Sequence, residues 1–187
     1  MSTNQDKMIR EYQEVVHLFI DKTKGIKDFE TEVLSTQPDT DSWSILECYE
    51  HLNRYSDFYL KEFKKALKNG GSPKEFSPGW LGKKSADSML PEGGEVKNKM
   101  KTFKSKNPAL DNHVSQNALD IFIQDQEEML KILERSKRTN LNKRVKTTLP
   151  LLRFKLGDCL AFYINHEQRH MAQIERTLKI VQSEVAA

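Results

Sequence analysis

The sequence predicts an all-α protein, an antiparallel four-helix bundle with a long loop between its second and third helices. Apolar residues recur at helical spacing in four long segments, and residues that end helices separate these segments. No segment shows the alternation of a convincing strand. The chain has 187 residues, of which 37% are hydrophobic, so residues 1–187 are expected to form one domain with one core.

The first helix is predicted from about residue 6 to residue 34. Gly25 lies inside it, at a cost of about 1 kcal/mol relative to alanine. The segment should end at Gln37-Pro38-Asp39, because proline cannot continue a helix. Its apolar residues are spaced by helical intervals: Met8, Tyr12, Val15, Val16, Phe19, Ile26, Phe29 and Val33.

The second helix is predicted from Ser44 to about Lys68. Ser44 and Glu47 form the S-x-x-E pattern of a capping box, in which each residue satisfies a backbone donor of the other. Trp43 directly precedes the cap and could pack on the first turn. Residues 69–73, Asn-Gly-Gly-Ser-Pro, end the helix. The apolar stripe is Ile45, Tyr49, Leu52, Tyr55, Phe58, Tyr59, Phe63 and Leu67.

Residues 72–112 show no clear period and are predicted to form a long loop, which in a compact domain is often functional. Residues 78–81, Pro-Gly-Trp-Leu, form an apolar island that is expected to pack against the bundle. Residues 97–106 contain five lysines. We interpret this basic run as a solvated face, with an anion-binding patch as the alternative.

The third and fourth helices are predicted over about residues 114–135 and 152–181, joined by a basic connector at residues 136–148. The fourth helix carries the most informative stripe, because two histidines interrupt its apolar residues. In order, the stripe is Leu156, Cys159, Leu160, Phe162, Tyr163, His166, His170, Ile174, Leu178 and Val181.

Composition excludes several classes of protein. A net charge of +3 is small for a nucleic-acid-binding protein, so nucleic acid is an unlikely partner. The mean hydropathy is −0.70, and no window approaches the ~20 apolar residues of a membrane helix. Cys48 and Cys159 are too few for a disulfide framework. Together with an N-terminus that lacks an apolar signal core, they predict a cytoplasmic protein.

The motif most informative about function is His166-Glu167-Gln168-Arg169-His170 on the fourth helix. Side chains four residues apart lie on one helix face, so the two imidazoles can share one divalent ion. His51 lies in the middle of the second helix, on its inward side, where an adjacent helix could bring it opposite the pair. Three histidines would leave coordination positions open, which is typical of catalytic metal sites.

The remaining candidates have simpler interpretations. His17 and His113 lack such a context and are expected at the surface. Glu167 is either a general base towards a metal-bound water or a carboxylate that only supports the ligands. Cys48 and Cys159 are expected to be small buried hydrophobes, although each shares a helix face with a predicted ligand.

The same five residues match H-E-x-x-H, the signature of zincin metallopeptidases. The context of a zincin is missing, because no predicted sheet precedes the helix. The glycine and histidine of the extended motif are also absent, since Gln173 and Arg176 stand there. A peptidase is therefore not expected.

The chain resembles the DinB-like superfamily, which also includes YfiT-like metal-dependent hydrolases and bacterial low-molecular-weight-thiol transferases. The resemblance rests on residues 43–47 (Trp-Ser-Ile-Leu-Glu), on His51-Leu52, on the His166/His170 motif and on the Gln173-Ile174 that follows it. These pieces fit in order and separation across about residues 6–181. The resemblance implies the bundle with its long loop, a divalent metal held by the three histidines, often zinc or nickel, and frequent homodimers.

Two functional hypotheses follow from these residues. The first is a metal-dependent transferase or hydrolase that activates a thiol or water towards a small molecule, with a low-molecular-weight thiol as a possible cofactor. Tyr55, Tyr163 and Glu167 are candidates for proton transfer in it. The second is a non-catalytic metal-binding or stress-response bundle, in which Cys48 or Glu167 closes the metal shell. A helical dimer with purely structural histidines is a further alternative.

Overall fold

The computed structural model describes residues 4–68, 70–91, 102–110 and 113–185, and over these residues the protein is helical with one small sheet. The all-α class is therefore confirmed. Short 3-10 turns lie at Lys104–Lys106 and Pro108–Leu110. The helices are α1 (Asn4–Ile26), α2 (Thr31–Ser35), α3 (Ile45–Lys68), α4 (Trp80–Asp87), α5 (Ala118–Ser136) and α6 (Leu156–Val185). The strands are β1 (Arg144–Lys146) and β2 (Arg153–Lys155).

The four long helices share one apolar core. α3 packs against α5 and α6, and α1 packs against the same two helices. This packing buries the apolar stripe of each helix, as amphipathic helices require. The fully buried side chains include Ile9, Val16, Ile45, Tyr49, Phe63, Phe122, Met129, Leu133, Leu160, Ile164 and Ile174.

The capping box at the start of α3 is confirmed. The Ser44 N–H donates to Glu47 Oε2 at 2.8 Å, and the Glu47 N–H donates to Ser44 Oγ at 3.2 Å. Each side chain thus satisfies a backbone donor that the helix itself leaves without an acceptor. The start of α3 is therefore well defined, and His51 lies in its second turn.

The prediction of one continuous helix over residues 6–34 is wrong. α1 ends at Ile26, and after a short turn the separate helix α2 begins at Thr31. The reason lies in the packing, because α1 runs along α5 whereas α2 contacts α3 and α6. The turn lets both Ile26 and Leu34 reach the core, where they are buried.

The segment predicted as a loop without regular structure contains α4. Its apolar island does not pack as predicted, since the side chain of Trp80 is 77% exposed. α4 instead packs on α6 through the small residues Gly82 and Ala86, which leave no apolar stripe in the sequence. The lysines at positions 97, 99 and 101 lie outside the described residues.

A β-hairpin replaces the end of the predicted connector and the predicted start of the fourth helix. β1 and β2 are antiparallel, with Val145 opposite Phe154, and α6 begins only at Leu156. Both apolar residues are buried. The start predicted at residue 152 is therefore wrong, because three-residue strands are too short to show a recognisable alternation. The third helix also begins later than predicted, at Ala118.

None of the described helices is long and apolar enough to cross a membrane.

We expect Gly82→Ala to lower the free energy of unfolding by about 1–3 kcal/mol. A Cβ at Gly82 would lie 2.7 Å from Asp158 Cβ, so α4 and α6 would have to separate. Gly25→Ala is the matched control, because nothing lies within 4 Å of its Cβ. It should be neutral or stabilise by up to about 1 kcal/mol. Urea denaturation of both variants tests this, and equal effects would contradict the close contact.

Candidate metal centre

Three histidines from two helices converge at the interface of α3 and α6. His51 belongs to α3, whereas His166 and His170 lie one turn apart on α6. One ring nitrogen of each lies within 4.8 Å of those of the other two. The structure thus brings together the three histidines that the sequence predicted, and their role as ligands stays a prediction.

The three rings are close and buried. His51 Nε2 lies 3.3 Å from His166 Nε2. The ring centroid of His170 lies 4.6 Å from that of His51 and 4.6 Å from that of His166. The exposed fractions of the three residues are 2%, 7% and 9% for His51, His166 and His170. The three residues are therefore buried, and only a small space separates their ring nitrogen atoms.

Two of the histidines are oriented by hydrogen bonds from Nδ1. His51 Nδ1 lies 2.6 Å from the backbone oxygen of Lys106, and His170 Nδ1 lies 3.0 Å from Gln173 Oε1. Because a carbonyl oxygen only accepts, each Nδ1 carries the proton and donates it. The lone pair of each ring is then on Nε2, which is the arrangement in which metal-ligating histidines are commonly held.

Burial keeps these imidazoles neutral. Desolvation lowers the pKa of His51 to about 4, although the hydrogen bond to the Lys106 carbonyl acts in the opposite direction. Burial also lowers the pKa of His166 and of His170 well below the usual value, and the neighbouring histidines lower it further. All three rings are thus uncharged at neutral pH, in the form that binds a metal.

The donor set fits a divalent ion. Three neutral imidazoles suit zinc, nickel and similar metals. A hydrogen bond from His166 to His51 would use one ring lone pair, but it would leave the lone pair of His170 unused. The buried His166 Nδ1 also has no hydrogen-bond partner among the described residues. A cation shared by the converging ring nitrogens would use the lone pairs of all three histidines at once.

Aromatic side chains surround the histidines. The ring centroid of Trp43 lies 4.7 Å from that of His51 and 6.0 Å from that of His170. Tyr55 lies 4.5 Å from His166 by the same measure, and the ring of Phe162 is stacked on His166 at 6.2 Å. These contacts hold the imidazoles in place. The sequence had placed Trp43 only against the first turn of α3.

The histidines open onto a cavity of about 500 Å³. Its volume is in the range of pockets that bind small molecules. The walls of the cavity are formed by residues of α3, α4, α6, the hairpin and the segment after residue 101. Its other lining residues include Asp41, Tyr59, Ser85, Ser88, Met89, Phe103, Thr147, Thr148, Leu149, Phe154, Arg169, Gln173 and Arg176.

Glu167 lies next to the histidines in sequence but faces a different part of the protein. Its Oε1 accepts a hydrogen bond of 2.7 Å from Gln126 Nε2 on α5, and the residue is 1% exposed. Burial raises the pKa of this carboxyl to about 8. It is not among the described residues that line the cavity or form the histidine cluster. Its predicted catalytic role stays a prediction.

The cysteines and the other two histidines lie away from the cluster. Cys48 and Cys159 are fully buried, and burial raises the pKa of Cys159 to about 12 and that of Cys48 further. Neither belongs to the group of metal-binding side chains found among the described residues. His17 and His113 are exposed, as expected.

Sequence reasoning missed the residues that support the histidines. The Lys106 carbonyl comes from the predicted loop, 55 positions from His51, and no local pattern indicates such a contact. Lys106 Nζ also donates to the backbone oxygen of Arg54 and lies over the ring of Tyr55 at 5.6 Å. Gln173 could have been found, because it lies three residues after His170 on the same helix face.

Comparison with known proteins finds that one protein family matches this chain. The family model described as the DinB superfamily matches residues 23–174, which include all three histidines and most of the chain. Neither the comparison with curated proteins nor the comparison with solved structures found a match.

In metal-stripped protein we expect the free energy of unfolding to fall as the pH drops from about 6.5 to about 4. The unfolded chain binds protons near pH 6.5, whereas burial lowers the pKa of His51 to about 4 in the folded protein. His51 alone should account for a loss on the order of 3 kcal/mol. His166 and His170 act in the same direction.

Urea denaturation at several pH values, in the presence of a chelator, measures this dependence. His51→Gln should weaken it, and His17→Gln, at an exposed position, should leave it unchanged. The same pH dependence in all three proteins would contradict a buried, neutral His51.

Proposed function

The chain belongs to the DinB superfamily, and we propose that it is a metal-dependent enzyme that acts on a small molecule. In this proposal His51, His166 and His170 hold one divalent ion, zinc or nickel. The observation that carries the proposal is the convergence of three buried, neutral imidazoles at one side of a cavity. A purely structural role would not require three ring nitrogens to face one another.

A set of three histidine ligands is more typical of a catalytic metal site than of a structural one. A divalent ion held there would supply Lewis acidity, which lowers the pKa of a thiol or of water and yields a nucleophile at neutral pH. Among the described residues, no cysteine or carboxylate joins the three histidines. Three protein ligands leave positions for exchangeable ligands, whereas structural sites are usually closed by four.

The protein's own residues hold these ligands in place. The Lys106 carbonyl and Gln173 Oε1 accept the Nδ1 protons of His51 and His170, and so direct the lone pairs towards the shared space. Trp43 and Tyr55 pack on the rings and limit their motion. The cavity then brings a small substrate next to this centre, for S-transfer from a low-molecular-weight thiol or for hydrolysis.

The contacts of α1, α3, α5 and α6 support an antiparallel four-helix bundle, with the segment that contains α4 as its long connection. We propose a homodimer in the cytoplasm, where two free, buried cysteines remain reduced. Nucleic acid is not proposed as a partner, because the net charge is only +3.

Replacing any of the three histidines should abolish metal binding. We expect about one zinc or nickel ion per chain after reconstitution, and more than about 100-fold weaker affinity in His51→Gln, His166→Gln and His170→Gln. His17→Gln and His113→Gln are controls and should bind like the wild type. Elemental analysis and competition with a chelator measure this. No bound metal after incubation with zinc, nickel and manganese would refute the site.

Gln173→Leu should lower the affinity for the metal by about 10–100-fold, because His170 loses the acceptor that orients its ring. Gln168→Leu is a matched control on the same helix, since Gln168 lines a different groove, between α1 and α6. Chelator competition compares the two variants. Equal affinities would show that the hydrogen bond to Gln173 does not support the centre.

Activity should depend on the bound metal. The reconstituted protein is incubated with a panel of low-molecular-weight thiols and small electrophiles, and separately with ester and amide substrates. We expect turnover in one of these assays that disappears on chelation, returns with zinc or nickel, and is absent in His170→Gln. Turnover that survives complete removal of the metal would discard the mechanism.

A further inference from the structure

We propose that the cavity binds a small organic anion with an aromatic body, that Arg176 holds its anionic oxygen group, and that the positive charge of Arg169 adds to the attraction. This inference deepens the proposed function, because it takes the three histidines as the reacting end of the same cavity. The charge, the aromatic lining and the spacing along α6 each contribute to it.

The two arginines lie on the same face of α6 as the histidines. The residues of α6 that line the cavity are Phe162, His166, Arg169, His170, Gln173 and Arg176. Apart from the adjacent pair Arg169 and His170, successive positions differ by three or four, which is the spacing of one helix face. Both arginines therefore belong to the wall that carries two of the predicted ligands.

The charge of the cavity favours an anion. Among the described lining residues, Arg169 and Arg176 are cationic, and Asp41 is the single carboxylate. The histidines add no charge of their own, since burial keeps them neutral. The guanidinium group is planar and matches the oxygens of a carboxylate or phosphate with two parallel hydrogen bonds.

The two arginines differ in their surroundings. Arg169 is only 7% exposed, so its positive charge is held at the inner part of the wall. Arg176 is exposed and forms no salt bridge with a carboxylate in the part of the chain that the structure describes. At about 1.5 Å per residue, its Cα lies about 9 Å beyond that of His170 along α6. That separation leaves room for an aromatic ring between the histidines and an anionic group.

The remaining walls suit such a ring. Trp43, Tyr55, Tyr59, Phe154 and Phe162 all line the cavity. Aromatic faces bind flat apolar groups by stacking and edge contacts. A cavity of about 500 Å³ encloses a molecule of this size.

The test uses three probes that share one aromatic body: 1-naphthoate, 1-naphthyl phosphate and the neutral 1-naphthamide. Calorimetric titrations at pH 7.5 use the zinc-loaded protein and the chelator-stripped protein. We expect at least one anion to bind about 10- to 100-fold more tightly than the amide in both forms, as charge-assisted hydrogen bonds predict. The comparison of the two anions identifies the preferred oxygen group.

Arginine variants assign the preference to these side chains. Arg176→Gln should reduce the preference for the anion at least about fivefold, and Arg169→Gln should do the same where it folds. Arg135→Gln is the matched control, because Arg135 is exposed on α5 and does not line the cavity. Zinc content and thermal unfolding are measured for every variant, so that loss of the fold is recognised.

The outcomes separate this inference from the proposed function. Equal affinity for the acids and the amide, or no binding of any probe, would overturn the inference. A preference that vanishes with the zinc but persists in Arg176→Gln and in folded Arg169→Gln would also overturn it, because the metal would then hold the anion. A protein that binds no metal but keeps an arginine-dependent preference would refute the proposed function and support the inference.

Discussion

The candidate site depends on one constraint, namely that three buried imidazole rings share a small space between α3 and α6. Neutral rings are tolerated there, because burial opposes protonation and lowers the pKa of each histidine. Facing lone pairs are costly without a common electrophile, so this arrangement is more readily explained by a bound cation than by core packing.

Distant parts of the chain contribute to this small space. The segment after residue 101 supplies the Lys106 carbonyl, which orients His51, and the same lysine side chain reaches α3. The hairpin brings Phe154 and Leu149 to the cavity wall. Elements that the sequence presented only as connections therefore shape the cavity next to the histidines. A long connection in a compact domain is often functional, and here it contributes directly to the candidate site.

The cavity offers a ligand aromatic contacts and positive charge, and both lie next to the three histidines of the candidate metal centre. The aromatic walls offer contact area for a flat group, and the arginines on α6 offer positive charge. The histidines lie on the same helix face, with Arg169 between His166 and His170 and Arg176 six residues after His170. Because one helix carries both the ligands and the arginines, their spacing is set by its regular geometry. A substrate with an anionic end could be held in one orientation relative to the candidate metal centre.

By itself, the sequence determined the helical class, the capping box at Ser44 and the three histidines. These features depend on local periodicity and on residue type, which are readable without coordinates. Only the tertiary structure decided the break between α1 and α2, the helix α4, the hairpin and the contact of His51 with Lys106. Each of these depends on contacts between residues far apart in the chain, or on small side chains that allow close approach. Such contacts leave no local period in the sequence.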